Sequence, residues 1–154
     1  MEIDAQDFIQ VLSDKIKLYE HLGITVAELN SHRVVFNVSL EKNLNHKGTA
    51  FGGSLYATGV LSAYALVLAG LKAYHIDTEN IVIAKGVIEY HRPIDSDFTI
   101  VCEFLDLQTE QAFYQELQDQ HRVRADLNVQ IFKEGGSGGR SLGASLVGSF
   151  VVRM

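Results

Sequence analysis

Several stretches of this chain alternate between hydrophobic and polar residues, a period of two that is typical of strands with one buried face. The clearest stretch is 123–132, where valine, alanine, leucine and isoleucine alternate with charged and amide side chains. In the stretch 81–91 the residues predicted to face inward are Val82, Ala84, Gly86, Ile88 and Tyr90. The pattern predicts six strands, at residues 24–30, 33–41, 81–91, 97–107, 123–132 and 142–152.

Two further segments have the spacing of amphipathic helices, with apolar residues three or four positions apart. Residues 4–22 form the first, with Asp4 as the expected N-cap and Gly23 as the expected stop. Residues 108–121 form the second, which is shorter. The residues predicted to face inward are Phe8, Leu12, Ile16 and Tyr19 in the first helix and Phe113 and Leu117 in the second.

A third helix is predicted from the long segment 48–71, which contains no charged residue. The segment is long enough to span a bilayer, but it is rich in glycine, alanine, serine and threonine, and no basic cluster flanks it. A helix that is apolar on all sides can also be one enclosed by the rest of a protein. We expect strands to enclose this one, and small residues would permit their close approach: Ala57, Gly59, Ala63, Ala65 and Ala69.

The order of these elements predicts the fold class. Two strands, one buried helix and four further strands make an α+β pattern, with the strands mostly joined by hairpins. The glycine-rich run 135–139 is predicted to be one such hairpin connection. We therefore predict an antiparallel β-sheet wrapped around a long central α-helix. A single domain is expected to span residues 1–154, because the length fits one domain and no boundary interrupts the pattern.

Composition and charge narrow the classes of partner. Hydrophobic residues make up 47% and charged residues 21%, which is ordinary for a soluble globular protein. The formal net charge of -6 argues against nucleic acid and against an anionic membrane as partners. The six histidines are scattered, without the close spacing to cysteine or carboxylate residues that zinc sites show, so we expect no metal.

The single cysteine and the N-terminal residues bear on the compartment. Cys102 cannot form an internal disulfide, which suits a reducing compartment. Its apolar, alternating surroundings predict a buried small hydrophobic residue rather than a nucleophile. The first ten residues, MEIDAQDFIQ, are acidic and polar, unlike a secretory signal. We therefore expect a cytoplasmic protein.

The most informative stretch is the loop before the long helix, which reads LNHKGTAFGGSL from Leu44 to Leu55. Here the sequence resembles the hot-dog-fold thioesterases, especially those of the phenylacetate-pathway type. Those proteins carry an asparagine, a glycine-containing loop and a His-Gly-Gly motif where the helix starts. Asn45 matches the family asparagine, and Gly52 and Gly53 match the two glycines.

A second motif supports the same resemblance. The segment YHRPI at 90–94 is similar to the aromatic-x-Arg-Pro-x motif that ends the third strand of that fold. More narrowly, the chain resembles the thioesterase-like domain that some bacterial proteins carry fused behind an acetyltransferase module. The resemblance implies hydrolysis of an acyl thioester, with no cofactor beyond the coenzyme A or phosphopantetheine of the substrate itself. It also implies a homodimer or a dimer of dimers, with the acyl site between subunits.

The chemistry of thioester hydrolysis gives the loop residues defined roles. Negative charge develops on the carbonyl oxygen as water attacks, and the free amides at a helix N-terminus stabilise that charge. Gly52 and Gly53 would let the substrate approach the backbone closely, and Asn45 would hold the attacking water or the carbonyl. The alternative for the glycine pair is a tight turn with no ligand. The neighbouring residues expected to bind substrate are Gly48, Phe51, Ser54 and Thr58.

Two departures from the family leave the general base open. Phe51 stands where the family has histidine, and Val60 stands where several relatives have a carboxylate two turns into the helix. Ser62 and Thr58 lie near that depth and could orient water, although hydroxyls are poor bases. His46 has the type of side chain that most often acts as a general base, but a loop histidine is more often only solvated. A carboxylate from another subunit is a further alternative.

Arg92 has two interpretations, between which the sequence does not decide. It could pair with the phosphates of coenzyme A or of a carrier-protein arm, or it could form a salt bridge with Asp95 or Asp97 at the strand end.

Three functions are compatible with these residues. Thioester hydrolysis is the first. A hot-dog dehydratase is less favoured, because it would need a well-placed histidine with a carboxylate, and Phe51 and Val60 supply neither. The third is a non-catalytic domain that binds an acyl thioester or a protein partner, having kept the cleft and lost the base.

Overall fold

The computed structural model describes residues 5–135 and 139–154, and it confirms the α+β class. Asp4, the predicted N-cap, and residues 136–138 of the predicted hairpin connection lie outside the described residues. The helices are α1 (Ala5–Lys15), α2 (Gly52–Ala73) and α3 (Leu107–Gln120), and the strands are β1 (Ile24–Leu29), β2 (Arg33–Val38), β3 (Asn80–Tyr90), β4 (Phe98–Glu103), β5 (Arg122–Lys133) and β6 (Ser141–Arg153).

The six strands form one antiparallel sheet that wraps around α2, in the order β1-β2-β4-β5-β6-β3. α2 contacts all six strands. By length and composition α2 could cross a membrane, but most of it is buried inside the fold, as in the core helix of a soluble protein. The enclosed helix is therefore confirmed. The strands β3 and β4, unlike β1 and β2 or β5 and β6, lie apart in the sheet and are not joined by a hairpin.

Small residues of α2 allow its neighbours to pack closely. A β-carbon at Gly70 would lie 1.7 Å from Oη of Tyr114, a fully buried residue of α3. At Gly59 a β-carbon would lie 2.9 Å from Cδ2 of Leu146 on β6. Three of the alanines predicted to permit this packing are fully buried, namely Ala63, Ala65 and Ala69.

The first predicted helix is continuous only as far as Lys15. Ile16 takes an extended conformation, and a 3-10 helix follows at Lys17–His21. This break turns the chain, so that Tyr19 still reaches the core although it lies outside α1. Gly23 has a φ of 67°, as suits the predicted stop. Of the residues predicted to face inward on the two amphipathic segments, Ile16 is half-buried and the others are buried: Phe8, Leu12, Tyr19, Phe113 and Leu117.

The predicted inward face of β3 is wrong in its first half. Ile81 and Ile83 face inward there, whereas Val82 is 54% exposed. A bulge directly after Ile83, in the pairing with β6, shifts the alternation by one residue. After the bulge the prediction holds for Gly86 and Ile88, which are half-buried. The predicted members of this face that are exposed are Val82, Ala84 and Tyr90.

Two strands end earlier than predicted, and a short helix or a helix cap follows each of them. β2 ends at Val38, and a 3-10 helix at Glu41–Asn43 replaces the end of the predicted strand and the start of the predicted loop. β4 ends at Glu103. Shortly after it, Asp106 caps α3, and its carboxylate accepts a hydrogen bond from the amide of Thr109 at 2.7 Å.

Cys102 is a buried small hydrophobic residue, as predicted. Burial raises the pKa of its thiol to about 12, with a smaller contribution from the charge of Glu103. The thiol therefore stays protonated at neutral pH and cannot act as a thiolate nucleophile.

Candidate active site

The loop before α2 is shaped by the side chain of Asn45. Its Oδ1 accepts hydrogen bonds from the amides of Lys47 and Thr49, at 2.9 and 3.1 Å. Its Nδ2 donates to Oγ1 of Thr49 at 2.8 Å. Gly48, with a φ of 79°, supplies the left-handed residue that this turn needs. Both polar groups of the Asn45 side chain are therefore hydrogen-bonded within the loop, and these bonds fix the conformation of the loop.

The same loop is fastened to the segment that follows β3. Leu44 and Ala50 form an isolated antiparallel bridge. The amide of Ala50 then donates to the carbonyl oxygen of Ile94 at 2.8 Å, and the amide of Phe51 donates to that of Asn43 at 2.8 Å. The two sequence motifs, one at 44–55 and the other at 90–94, therefore meet in space.

The N-terminus of α2 is uncapped at this meeting point. Phe51 is the N-cap residue, and within the described residues no side chain caps this helix end. The amides of Ser54 and Leu55 bond to the carbonyl oxygen of Phe51, at 2.9 and 3.1 Å. The two preceding amides, of Gly52 and Gly53, come before the first helical hydrogen bonds, and no backbone acceptor for them is found in the described part of the chain.

A cavity of about 470 Å³ opens beside this helix end. It is mostly apolar and open to solvent, and its lining comes from the two motifs. The lining residues are Thr49, Ala50, Gly52, Gly53 and Leu55 on one side and Tyr90, His91, Arg92, Pro93 and Ile94 on the other. Of the residues predicted for the site, the structure thus brings Gly52, Gly53 and Arg92 together.

Tyr90 also lines the cavity, although it is not among the site residues predicted from the sequence. Its hydroxyl donates to the carbonyl oxygen of Gly52 at 2.8 Å, across from the end of β3 to the start of α2. Burial, with a smaller contribution from nearby Tyr56, raises the pKa of Tyr90 above its usual value, so the hydroxyl remains a donor. The only sequence signal for it was its place at the head of the YHRPI motif.

His91 also borders the cavity, but its ring is engaged elsewhere. Its Nε2 lies 2.7 Å from Oγ of Ser145. Ser145 alternates along β6 with the buried Ala144 and Leu146, so it lies on the outer face of the sheet. The imidazole is therefore held by a side chain of β6.

Arg92 is exposed at the cavity, and neither of the predicted acidic partners holds it. Asp95 pairs with Lys133 at 2.6 Å, and that hydrogen bond lowers the pKa of the Asp95 carboxyl. Asp97 accepts a hydrogen bond from the amide of Leu40 at 2.9 Å. In the described part of the chain, the guanidinium forms no salt bridge with either aspartate, which leaves it available for an anion.

The structure does not bring the other predicted residues into the cavity lining. Ser62 and Thr58 are fully buried in the core, where their hydroxyls donate to carbonyl oxygens of α2 itself, at 2.7 Å to Gly59 and to Ser54. The remaining residues of this set lie on the loop or the first turn: His46, Gly48 and Phe51 are exposed, and Asn45 and Ser54 are half-buried.

A second cavity, of about 320 Å³, lies along α2 on the side facing β3. It is lined almost entirely by apolar surface, and Val60, the position of the carboxylate in several relatives, belongs to that lining. Its other residues are Ile16, Leu18, Tyr56, Ala57, Leu61, Tyr64, Ile81, Ile83 and Phe150. Among the residues that the structure describes, no three histidine, cysteine or carboxylate side chains lie close enough to hold a metal ion.

Comparisons with known proteins agree with this geometry. The model of one protein family, described as "Putative thioesterase (yiiD_Cterm)", matches residues 5–154. A protein of unknown function from Chlorobaculum tepidum has a similar structure, with a TM-score of 0.85 and 21% identity over 96% of this chain and 93% of that one. A "putative thioesterase" from Shewanella oneidensis has a TM-score of 0.82 and 23% identity, over 97% and 96%. A "Probable Thioesterase" from Pseudomonas aeruginosa has a TM-score of 0.77 and 17% identity, over 99% of this chain and 97% of that one. These likenesses show the hot-dog fold.

Proposed function

Because the chain belongs to the family described as "Putative thioesterase (yiiD_Cterm)", we propose that it hydrolyses an acyl thioester. The leaving thiol is that of coenzyme A or of the phosphopantetheine arm of an acyl carrier protein. The observation that carries this proposal is the N-terminus of α2, which no side chain of the described residues caps and which opens into a cavity beside the exposed Arg92. We place the reaction in the cytoplasm, since the one cysteine is buried and unpaired.

In the proposed reaction the carbonyl oxygen of the thioester lies at the amides of Gly52 and Gly53. Water adds to the carbonyl carbon, the carbon–sulfur bond breaks, and the products are a carboxylic acid and a free thiol. The negative charge that develops on the oxygen is stabilised by the two amides and by the positive end of the helix dipole. Both glycines line the cavity without a side chain of their own, and two aromatic side chains approach them, Tyr90 at Gly52 and Phe51 at Gly53.

Asn45 contributes through the loop rather than by touching water. Its amide group is already bonded to Lys47 and Thr49, so its proposed role is to keep the loop in the shape that leads into α2. Among the described residues, the cavity lining contains no carboxylate, and the imidazole of His91 is hydrogen-bonded to Ser145. We therefore propose that the group that activates water comes from a second subunit.

A second subunit is best accommodated at the free edge of β3. This strand ends the sheet, is eleven residues long and contains no proline, so its outer backbone groups can pair with another strand. We expect a homodimer or a dimer of dimers, with a mass in solution of two or four times the chain mass of 17.1 kDa. Light scattering across a concentration series checks this. A protein that stays monomeric at all concentrations would contradict the shared site.

The experiment that tests the activity is thiol release from a panel of acyl-CoA substrates of different chain lengths. Wild-type protein is expected to release thiol from at least one of them. Asn45→Ala is expected to lower kcat/KM about tenfold, because three hydrogen bonds that shape the loop are lost and the helix end is displaced from its best position. Lys47→Ala is the matched control, since it removes an exposed side chain of the same loop and keeps the backbone amide that Asn45 binds.

The outcomes separate the candidate functions. Thiol release that is equal in wild type and Asn45→Ala would remove Asn45 from the mechanism. Release that is absent for every chain length would favour the second candidate, a non-catalytic domain that binds acyl thioesters. That candidate is supported by the lack of a carboxylate in the cavity lining, as far as the structure describes the chain. A hot-dog dehydratase has less support, because no histidine–carboxylate pair lies there among the described residues.

A further inference from the structure

Two tyrosine–glycine contacts fasten the first turns of α2 to the end of β3. Tyr90 of β3 lies over Gly52 of α2, where a β-carbon would be 3.1 Å from the tyrosine oxygen. In the opposite direction, Tyr56 of α2 lies over Gly86 of β3, where a β-carbon would be 2.0 Å from its oxygen. The partners are four residues apart in both elements. We call these four residues the tyrosine clasp.

The two halves of the clasp differ in chemistry. Tyr56 crosses the strand in a close steric contact, which only a glycine at position 86 allows. Tyr90 adds a hydrogen bond, 2.8 Å long, from its hydroxyl to the carbonyl oxygen of Gly52. Gly52 is the first residue of a helix end that has no side-chain cap. Uncapped helix ends fray readily. A hydrogen bond to the carbonyl oxygen of Gly52 therefore restrains the residue at which fraying of α2 would begin.

We propose that Tyr90 is a positioning residue for the thioester reaction: its hydroxyl fixes the first turn of α2, and with it the amides of Gly52 and Gly53, against the Arg92 side of the cavity. The inference rests on the proposed function. It assigns no contact with the reacting atoms to Tyr90, because its proton is directed to the Gly52 carbonyl. Catalysis at preorganised amides is sensitive to small displacements, and a shift of about 1 Å can cost about 100-fold in rate.

The exposure of Tyr90 separates this role from a general role in stability. Its side chain is 53% exposed, so its ring contributes little buried apolar surface. The loss of its hydroxyl removes one solvent-accessible hydrogen bond, which is a small part of the stability of the fold. A substitution that keeps the ring should therefore increase the mobility of the first turn of α2 far more than it lowers the stability of the whole fold.

The test compares Tyr90→Phe with Tyr64→Phe, which removes the hydroxyl of a half-buried tyrosine of α2 that lies outside the clasp. Two measurements are made: steady-state kinetics on the best acyl-CoA of the panel, and hydrogen exchange of the amides of Ser54 and Leu55. Tyr90→Phe is expected to lower kcat about tenfold with KM changed less than about twofold, and to speed exchange at those amides about tenfold. Tyr64→Phe is expected to change neither.

The two measurements distinguish failure of this inference from failure of the proposed function. If wild type hydrolyses no substrate, thioester hydrolysis fails, and the exchange data alone decide whether Tyr90 positions the helix end. Unchanged exchange at both amides in Tyr90→Phe overturns the inference, whatever the kinetics. A fall in kcat accompanied by faster exchange throughout the sheet overturns it as well, since Tyr90 would then support the fold in general.

Discussion

Alanine at position 70 is expected to lower the free energy of unfolding by about 3 kcal/mol, the upper range for overpacking a core. The added β-carbon would lie 1.7 Å from Oη of Tyr114 and 2.1 Å from its Cζ. The Tyr114 ring cannot move away from the added carbon, because it is fully buried and packed between two other aromatic rings. Its ring stacks on Tyr74 with centroids 4.5 Å apart, and it meets Phe113 edge-on at 4.9 Å. The helix propensity gained by alanine, about 1 kcal/mol, is too small to offset this clash.

Gly59→Ala is the matched control for Gly70→Ala, because it makes the same chemical change on the same helix. There the added carbon would lie 2.9 Å from Cδ2 of Leu146, the far end of a flexible side chain, with the next contacts at 3.6 Å or more. We expect its free energy of unfolding to stay within about 1 kcal/mol of wild type. Urea denaturation measures both variants. Equal effects would contradict the argument, as would a cost at position 70 that persists undiminished in Tyr114→Leu.

The sequence predicts β5 well because both of its neighbours, β4 and β6, leave its alternation undisturbed. The residues Val123, Leu127, Val129 and Ile131 are all buried, and the register with β6 slips only near the end of the strand. In β3 the same reasoning fails at Ala84. A bulge depends on how a strand pairs with its partner, and the partner of β3 is β6, some sixty residues away in the chain. Alternation within one strand carries no information about that pairing.

The candidate site shows the same division between local and distant causes. Gly52, Gly53 and Arg92 belong to motifs that can be read along the chain, and they meet at one cavity. Local rules could also have predicted that Asn45 closes a turn onto Thr49, since asparagine side chains commonly do so. Serine and threonine inside a buried helix commonly bond to the preceding turn, as Ser62 does. The contact of Tyr90 with Gly52 joins residues 38 positions apart in the chain, and no local pattern predicts it.

The substitution with the largest expected effect on substrate binding is Arg92→Ala. If Arg92 binds a phosphate of the coenzyme A moiety, its removal should raise KM for acyl-CoA between about 10-fold and 100-fold, because a charge-assisted hydrogen bond contributes about 1.5 to 3 kcal/mol. The value of kcat should change little, since a phosphate contact adds binding energy and does not involve the reacting atoms. Arg92→Lys should give an intermediate KM, because lysine keeps the positive charge but cannot form the bidentate hydrogen bonds that a guanidinium makes to a phosphate.

A substrate without phosphates makes this test specific. An acyl thioester of N-acetylcysteamine keeps the reacting group and lacks the nucleotide, so its KM should not depend on residue 92. Arg124→Ala serves as the control variant, because Arg124 is exposed on β5 and does not line the cavity. Added salt should raise KM for acyl-CoA in wild type more than in Arg92→Ala, since an exposed ion pair is screened. Equal increases in KM for both substrates would show that Arg92 supports the cavity itself, whereas no increase for acyl-CoA would exclude a phosphate contact at Arg92.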